Sequence, residues 1–333
     1  MEDEEATEED ISNEVASLKE AYRNFLAEKT GPPLIHFQAA ENNQIIDLTG
    51  NNFNAELKNM ANTREMGTYQ VINLGNANGY VDMSAEAGDA LAQMEDFSVS
   101  VYYHIRSGVS IVGRGNFLWT FSTRENCSED TGGYIAYRVN AQRYALSEKG
   151  WGNESEALQI SLPATKGKWQ HLVYTQMDNI AQIYINGELK AEGKIYCTPS
   201  EIGATSYNWL GKSPFPTDAY LRGTLLYDFK VMDRTLKLSE IEELAGEVSR
   251  LQYAYDNPAG TSNPFSNSTM AWAENNKIII HRTQSIETCQ VYNVLGVSLF
   301  SVDLTDEITE IKTQPGIYIV KTSTGLTQKL IVN

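Results

Sequence analysis

The first periodic pattern in the chain lies near its N-terminus. Apolar residues recur there at alternating steps of four and three: Ile11, Val15, Leu18, Tyr22 and Phe25. This spacing predicts an amphipathic helix over about residues 7–29, ended by the Gly-Pro-Pro stretch at 31–33. Because the apolar stripe is short, it indicates a helix docked on the next domain rather than a coiled coil.

From residue 34 to about residue 227 the pattern changes to short runs of β-branched and aromatic residues, separated by Gly, Asn, Asp and Ser. The clearest predicted strands are Phe97–Ile105, Gly133–Val139, Trp169–Met177 and Ala181–Gly193. Asn186 and Gly187 interrupt the last run and predict a tight hairpin. Many strands joined by short turns, without a long helix, indicate an antiparallel sandwich or barrel.

The remaining chain divides into three parts. Ser239 followed three residues later by Glu242 resembles a capping box, which predicts a short helix ending near Ala245. Residues 247–262 are rich in Pro, Asn, Gly and Ser towards their end and are predicted to form a linker. Strand-like segments then fill 263–333 and predict a second, small β-sandwich that ends in a hairpin.

Charge and hydropathy narrow the possible partners. The formal net charge is −17, and seven of the first ten residues are acidic. An acidic chain without a Lys/Arg cluster is unsuited to nucleic acid, whose phosphates need clustered bases. No apolar run is long enough to predict a membrane span. The start lacks a signal-peptide pattern, so the sequence predicts either a cytosolic protein or a mature form with an added Met.

The cysteines give no metal or redox motif. Cys127, Cys197 and Cys289 lie far apart, and no CxxC pair occurs. A bridge between Cys127 and Cys197 and a set of buried free thiols both remain open at this point.

The aromatic residues give the clearest indication of a binding site. The chain has 18 Tyr and 5 Trp, and their flat faces stack well on sugar rings. The candidate ligand-binding residues are Trp119, Tyr134, Arg138, Arg143, Tyr144 and Trp151, the arginines serving as donors to hydroxyl groups. On a strand, Tyr134 and Arg138 share one face, opposite the core-facing Ile135 and Tyr137. The alternative is that these aromatics only fill the core.

Three segments resemble the laminin G type of concanavalin A-like sandwich. They are FSVSVYYHI, KWQHLVYTQMDNIAQIYINGELKAEG and NWLGKSPFPTDAYLRGTLLYDFKVMDRTLKLSEIEEL. The resemblance covers 33–246 and implies a jelly-roll sandwich that binds carbohydrate. It also implies that calcium is possible, with Asp82, Asp218 and Asp228 as candidate ligands. No other cofactor is expected. Tyr227-Asp228 departs from the family, which often has two adjacent acidic residues there.

The C-terminal region resembles the type IX secretion sorting domain of Bacteroidetes. The similar segments are NPF at 263–265, VYNVLG at 291–296 and PGIYIVKTSTGLTQKLIVN at the end. This resemblance implies an Ig-like sandwich that contacts the secretion machinery through residues 263–333. It also implies a secreted protein or one displayed on the outer-membrane surface.

The chain is therefore predicted to be all-β, with an acidic tail and helix over 1–32, and to serve in non-catalytic carbohydrate recognition. Retaining glucanases need two carboxylates about 5 Å apart, which on a strand are two residues apart. Only Glu8 and Asp10 have the Glu-x-Asp spacing, and they lie in the acidic tail. No catalytic residue is predicted. A glycoside hydrolase or lyase with another carboxylate pair and a protein–protein adhesion module are the alternatives.

Overall fold

The structure, a computed structural model, describes residues 14–15, 17–18, 21, 30–128, 130–154, 156–257, 270–274, 276–281, 287–304, 308–323 and 327–332. It divides the chain into two units, Met1–Asp256 and Asn257–Asn333. Most of the predicted N-terminal helix lies outside the described residues. Val15 and Leu18 are helical but exposed, so the expected docking of the apolar stripe is wrong for these two side chains.

The first unit contains a nine-stranded antiparallel sheet. Its strands are β1 (Ile35–Ala40), β2 (Gln44–Asp47), β4 (Asn62–Met66), β5 (Tyr69–Asn73), β7 (Phe97–Ile105), β12 (Trp169–Met177), β13 (Ile180–Ile185), β14 (Glu188–Lys194) and β16 (Thr224–Met232). The main path runs β14-β13-β12-β7-β16-β1-β2, and β5 pairs with both β16 and β4. Asn186 and Gly187, with φ of 54° and 84°, form the predicted hairpin turn between β13 and β14.

A seven-stranded antiparallel sheet forms the second layer. Its strands are β3 (Ala55–Lys58), β6 (Tyr80–Met83), β8 (Phe117–Ser122), β9 (Tyr134–Arg138), β10 (Arg143–Ser147), β11 (Glu156–Gln159) and β15 (Tyr207–Leu210). They follow the order β11-β10-β9-β8-β15-β6-β3. Two short helices, α1 (Ala85–Leu91) and α2 (Pro199–Ile202), and a 3-10 helix (Trp151–Asn153) lie in the connections.

One hydrophobic core joins the two sheets. Apolar side chains alternate along the strands, so each sheet contributes every second residue to it. Tyr144 of the seven-stranded sheet stacks on Tyr174 of the nine-stranded sheet, with ring centroids 3.9 Å apart. Two antiparallel sheets around a shared core form the predicted jelly-roll sandwich, which is therefore confirmed.

Two consecutive helices cover the other face of the nine-stranded sheet. They are α3 (Leu238–Ala245) and α4 (Glu247–Asp256). Leu251 of α4 is fully buried in a cluster with Tyr102 and Trp169. The prediction that 247–262 is a linker is thus wrong for 247–256. Val248, Leu251 and Tyr255 supply an apolar helix face that the Pro-rich end of the segment obscured.

The start of α3 also differs from its prediction. The helix begins at Leu238, and the backbone N–H of Lys237 donates to the Glu240 carboxylate over 2.9 Å. That carboxylate also accepts from both terminal nitrogens of Arg234. The cap is therefore built on Glu240 rather than on Ser239 and Glu242, although the predicted end at Ala245 is confirmed.

The second unit is a small pair of sheets. Its strands are β17 (Met270–Glu274), β18 (Lys277–His281), β19 (Glu287–Asn293), β20 (Ser298–Leu304), β21 (Ile308–Lys312), β22 (Gly316–Thr322) and β23 (Thr327–Val332). They form sheets of order β17-β18-β21 and β20-β19-β22-β23, which share one hydrophobic core. The closing hairpin, β22 with β23, is held by antiparallel pairing. The NPF motif at 263–265 lies outside the described residues.

Candidate functional site

A pocket of about 390 Å³ lies beside β8, β9 and β10 of the seven-stranded sheet. Strand residues form its floor, and residues of four connecting segments form its walls. Its described lining is Arg114, Gly115, Phe117, Ser128, Arg138, Arg143, Trp151, Glu154, Phe215, Thr217 and Asp218. The pocket therefore combines three arginines and two carboxylates with three aromatic rings.

Strand alternation brings two of the arginines to the floor. Arg138 on β9 and Arg143 on β10 are directly opposite each other in the antiparallel register. Their strand neighbours Tyr137 and Tyr144 point the other way, into the core between the sheets. The pocket therefore occupies the outer face of the seven-stranded sheet, the face that lies away from the sandwich core.

Glu154 neutralises one of these arginines. Arg143 donates to both carboxylate oxygens of Glu154, over 3.1 Å from Nη1 to Oε1 and through Nη2 to Oε2. The buried hydroxyl of Tyr134 donates to Oε1 over 2.6 Å. Burial alone would raise the pKa of Glu154, but these hydrogen bonds and the positive charge lower it below its ordinary value. Glu154 is thus a fully engaged carboxylate.

Arg138 has no such partner. It makes no hydrogen bond or ion pair with any residue that the structure describes, and its Nε is buried and unpaired. Burial, followed by the charge of Arg143, lowers the pKa of the Arg138 guanidinium, although an arginine stays charged at neutral pH. The floor of the pocket therefore presents an unpaired cation.

Trp151 forms one wall and is positioned by its own backbone. Trp151 is 55% exposed, whereas Trp119, Trp169 and Trp209 are buried. The backbone N–H of Trp151 donates to the Cys127 carbonyl over 3.3 Å. Ser147 Oγ donates to the carbonyls of Gly150 and Asn153. Gly150 has φ of +80°, and a Cβ there would lie 2.8 Å from the Cys127 carbonyl oxygen. Only glycine fits this approach without strain.

The opposite wall joins two segments through their backbones. Asn116 N–H donates to the Ala219 carbonyl over 2.9 Å, and a Cβ on Gly115 would lie 2.2 Å from that oxygen. Next to this junction, Ser213 Oγ donates to Asp218 Oδ2 over 2.8 Å. Burial raises the pKa of Asp218 against the opposing effects of this bond and of the nearby arginines.

The aromatic residues of the pocket form a cluster on the same face. Phe215 packs edge-on against Phe117, with centroids 6.1 Å apart, and against Tyr134, at 5.4 Å. These rings also bury Cys127, so the base of the pocket has a small apolar cluster of its own. Packing fixes the rings before any ligand arrives, which lowers the entropic cost of binding.

The predicted site residues divide into two groups. Arg138, Arg143 and Trp151 line the pocket, and their role in ligand binding stays a prediction. Trp119 and Tyr144 are 0% exposed and lie in the core between the sheets, so their assignment to the site is wrong. Tyr134 is also buried. It supports the pocket from below through Glu154 but was predicted to be a contact residue.

The sequence analysis missed other lining residues, including Arg114, Phe117, Glu154 and Phe215, and it named Asp218 only as a candidate calcium ligand. The Pro-Phe-Pro sequence at 214–216 was the one available signal, because two prolines stiffen a loop and hold the aromatic side chain between them. Glu154 had no signal, since it follows the 3-10 helix and only the fold of the β10–β11 connection brings it to Arg143.

The three candidate calcium ligands have separate surroundings. Asp82 accepts from Trp209 Nε1 over 3.0 Å, and Asp218 accepts from Ser213. Asp228 lies in the other sheet and is bound by His36, Gln38 and Lys230. Within the described ranges, no three His, Cys, Asp or Glu side chains gather in a way that could hold a metal ion.

The cysteine question has a direct answer. Cys127, Cys197 and Cys289 are all free and buried. Cys127 lies in the cluster under the pocket, whereas Cys197 belongs to the core between the sheets. The free-thiol alternative is therefore correct for the structure. None of the helices in its described portion has the length and apolar character to cross a membrane.

Comparison with known proteins agrees with the geometry. A model of the concanavalin A-like lectin/glucanases superfamily, in its laminin G form, matches residues 74–242. This is half of the chain, and the chain therefore belongs to that superfamily. The match spans most of the sandwich and every residue that lines the pocket. A search of curated proteins gives no significant match.

Solved structures with similar folds include sugar- and receptor-binding domains. Domain 4 of AbnA, a GH43 extracellular arabinanase from Geobacillus stearothermophilus, was solved with arabinotriose. It has a TM-score of 0.51 and 16% identity, covering 65% of this chain and 100% of that domain. The binding domain of botulinum neurotoxin serotype D/C has a TM-score of 0.50 and 17% identity, and the match covers 87% of this chain and 71% of that domain. The botulinum neurotoxin DC binding domain in complex with rat synaptotagmin II gives the same values. At these identities the likeness shows the fold alone.

Proposed function

We propose that this protein is a non-catalytic carbohydrate-binding protein and that the pocket on the outer face of the seven-stranded sheet is its sugar site. The single observation that carries the proposal is the exposed Trp151 indole beside two floor arginines. An indole face stacks on the C–H face of a pyranose, and guanidinium N–H groups donate to its hydroxyls. A volume of about 390 Å³ suits one or two sugar rings.

The surroundings of the pocket support binding at this face. Helices α3 and α4 cover the outer face of the nine-stranded sheet, whereas the outer face of the seven-stranded sheet carries the pocket. The complex of the arabinanase domain with arabinotriose shows that a relative of this fold binds a saccharide. The pocket favours this function over adhesion through a flat apolar surface, which needs a broad exposed patch.

The experiment is a glycan array followed by isothermal titration calorimetry with the best oligosaccharide. We expect Trp151→Ala to weaken binding about 30-fold or more, because a stacked aromatic ring is a typical hot spot. Tyr196→Ala is the matched control, since Tyr196 is also 55% exposed and does not line the pocket. Equal affinities for wild type and Trp151→Ala would place the sugar site elsewhere and overturn the proposal.

A second candidate function follows from the two carboxylates. Burial raises the pKa of Asp218, whereas Arg143 and Tyr134 hold the pKa of Glu154 low despite its burial. Carboxylates with pKa values moved apart can serve as general acid and base in a glycoside hydrolase. Binding is preferred because both oxygens of Glu154 are occupied by donors. Release of reducing ends from the bound glycan, lost in Asp218→Asn, would instead establish hydrolysis.

We further propose that residues 263–333 direct export of the protein to the cell surface or medium. The support is the similarity of the VYNVLG segment and the closing hairpin to sorting domains, together with the separate hydrophobic core of the second unit. Deletion of these residues should retain the protein inside the producing cell, as measured by fractionation and immunoblotting. Unchanged export of the shortened protein would contradict this role.

A further inference from the structure

The charges of the pocket differ from those of the whole molecule. The chain has a formal net charge of −17, yet the pocket lining contains three arginines against two carboxylates. Glu154 is bound to Arg143 through both oxygens. Asp218 has a hydrogen bond from Ser213 and lies in the field of Arg114 and Arg138. One positive charge is left over in a site that a strongly acidic protein encloses.

The register places this excess charge on the floor. Arg138 and Arg143 face each other across neighbouring strands, an arrangement of like charges that destabilises a sheet. Glu154 binds Arg143 directly, whereas Arg138 is only in the electrostatic field of Glu154 and Asp218 and makes no direct ion pair with a described residue. A partly buried guanidinium without a direct partner has an electrostatic cost in the free protein, and an anionic ligand would supply the missing partner.

We propose that the sugar bound in this pocket is acidic and that its anionic group, a carboxylate or a sulfate, pairs with Arg138. The inference rests on the proposed carbohydrate-binding function. The planar guanidinium fork matches the two oxygens of such an anion and forms charge-assisted hydrogen bonds with them. Trp151 in the wall would stack on the ring that carries the anion. Asp218 would exclude anionic ligands whose charge points away from Arg138.

The test uses three probes with the full-length protein in calorimetry. Trigalacturonate carries carboxylates, its methyl ester has the same rings without charge, and a heparin-derived tetrasaccharide carries sulfates. We expect at least one charged probe to bind about tenfold or more tightly than the methyl ester. A preference for trigalacturonate assigns a carboxylate, and a preference for the heparin fragment assigns a sulfate. Affinity for the charged probe should fall between 50 and 500 mM NaCl.

Arg138→Gln separates the proposed contact from a general effect of charge. It should reduce the affinity for the charged probe about tenfold or more and change the affinity for the methyl ester less than twofold. Arg222→Gln is the matched control, because Arg222 is exposed and does not line the pocket. The melting temperature of Arg138→Gln should not fall, since the substitution removes a repulsive charge, so lost affinity would not reflect unfolding.

The outcomes distinguish this inference from the function on which it rests. If the methyl ester and the charged probes bind equally, and Arg138→Gln changes none of them selectively, the acidic-ligand inference is overturned while carbohydrate binding stands. If none of these saccharides and no member of the glycan array binds at millimolar concentration, both proposals are refuted. Selective loss in Arg138→Gln, absent in Arg222→Gln, supports the inference.

Discussion

Replacing Glu154 with Gln tests the electrostatic organisation of the pocket. The substitution keeps the shape of the side chain but removes its charge. Its amide nitrogen then faces a nitrogen of Arg143, so one hydrogen bond is lost and the others are weakened. Arg143 and Arg138 would confront each other across the strands without a neutralising carboxylate. We therefore expect Glu154→Gln to destabilise the first unit.

The size of the effect follows from the exposure of the pair. The side chains of Arg143 and Glu154 are 16% and 25% exposed. Fully exposed ion pairs contribute about 0–1 kcal/mol, and breaking a fully buried pair costs about 3–5 kcal/mol. An intermediate loss of about 2–3 kcal/mol in the free energy of unfolding is expected. For a unit of this size it lowers Tm by roughly 4–12 °C.

A double-mutant cycle measured by urea unfolding at pH 7 isolates the pair. Arg143→Gln alone leaves the partly buried Glu154 carboxylate without its ion-pair partner, with the Tyr134 hydroxyl still donating to it, whereas the double variant leaves two neutral amides. The double variant should therefore be more stable than the sum of the single losses by about 1–3 kcal/mol. Trigalacturonate should also bind Glu154→Gln more tightly than wild type, because the positive charge of the pocket has increased.

The pH dependence provides a separate check. The folded-state pKa of Glu154 lies below its ordinary value of 4.5, so the carboxylate stabilises the folded state at pH values above 4.5. That contribution is lost as the pH falls through the lowered pKa. The stability difference between wild type and Glu154→Gln should thus be full at pH 7 and shrink below pH 4.5. The stabilising role of the Glu154–Arg143 pair would be refuted by strict additivity in the double-mutant cycle. It would also be refuted if Glu154→Gln lowered the free energy of unfolding by less than about 0.5 kcal/mol at pH 7.

Two further substitutions test other parts of the structure. Leu251→Ala removes a fully buried side chain between α4 and the nine-stranded sheet, which should cost about 2–5 kcal/mol in urea unfolding. An unchanged unfolding midpoint would mean that α4 does not dock. Gly150→Ala forces a Cβ towards the Cys127 carbonyl at a positive φ, which should cost about 1–3 kcal/mol and weaken saccharide binding by moving Trp151. Gly152→Ala, which meets open space, should change neither, and equal behaviour of both variants would contradict the argument.

The sequence predicted the strands best where every residue is buried and β-branched and aromatic residues are frequent. Strands β7 and β12 have the predicted bounds, Phe97–Ile105 and Trp169–Met177. Helix α4 was missed because its apolar positions are tertiary contacts with the sheet, and its C-terminal neighbours are typical of a linker. Local helix propensity does not show that the apolar positions of α4 pack against the outer face of the nine-stranded sheet.

The candidate site was predicted in part for the same reason. Alternation along one strand correctly separated Arg138 from the core-facing Tyr137, because period two depends only on the strand itself. It could not reveal that Trp119 on β8 and Tyr144 on β10 face inwards. For Trp119, a bulge shifts the register of β8 against β9. Glu154 lies in the connection between β10 and β11, so its partnership with Arg143 depends on how that connection folds and could be found only from coordinates.

The segments that form the pocket are joined by hydrogen bonds between backbone groups. The Trp151 N–H meets a carbonyl of the facing loop, and Asn116 and Ala219 are joined in the same manner. Backbone hydrogen bonds do not depend on side-chain identity, so the lining residues can be substituted as long as Gly115 and Gly150 are kept. A combinatorial library that varies Arg114, Ser128 and Thr217 should therefore keep its architecture while its selectivity diverges, which makes this domain a practical scaffold for engineered recognition.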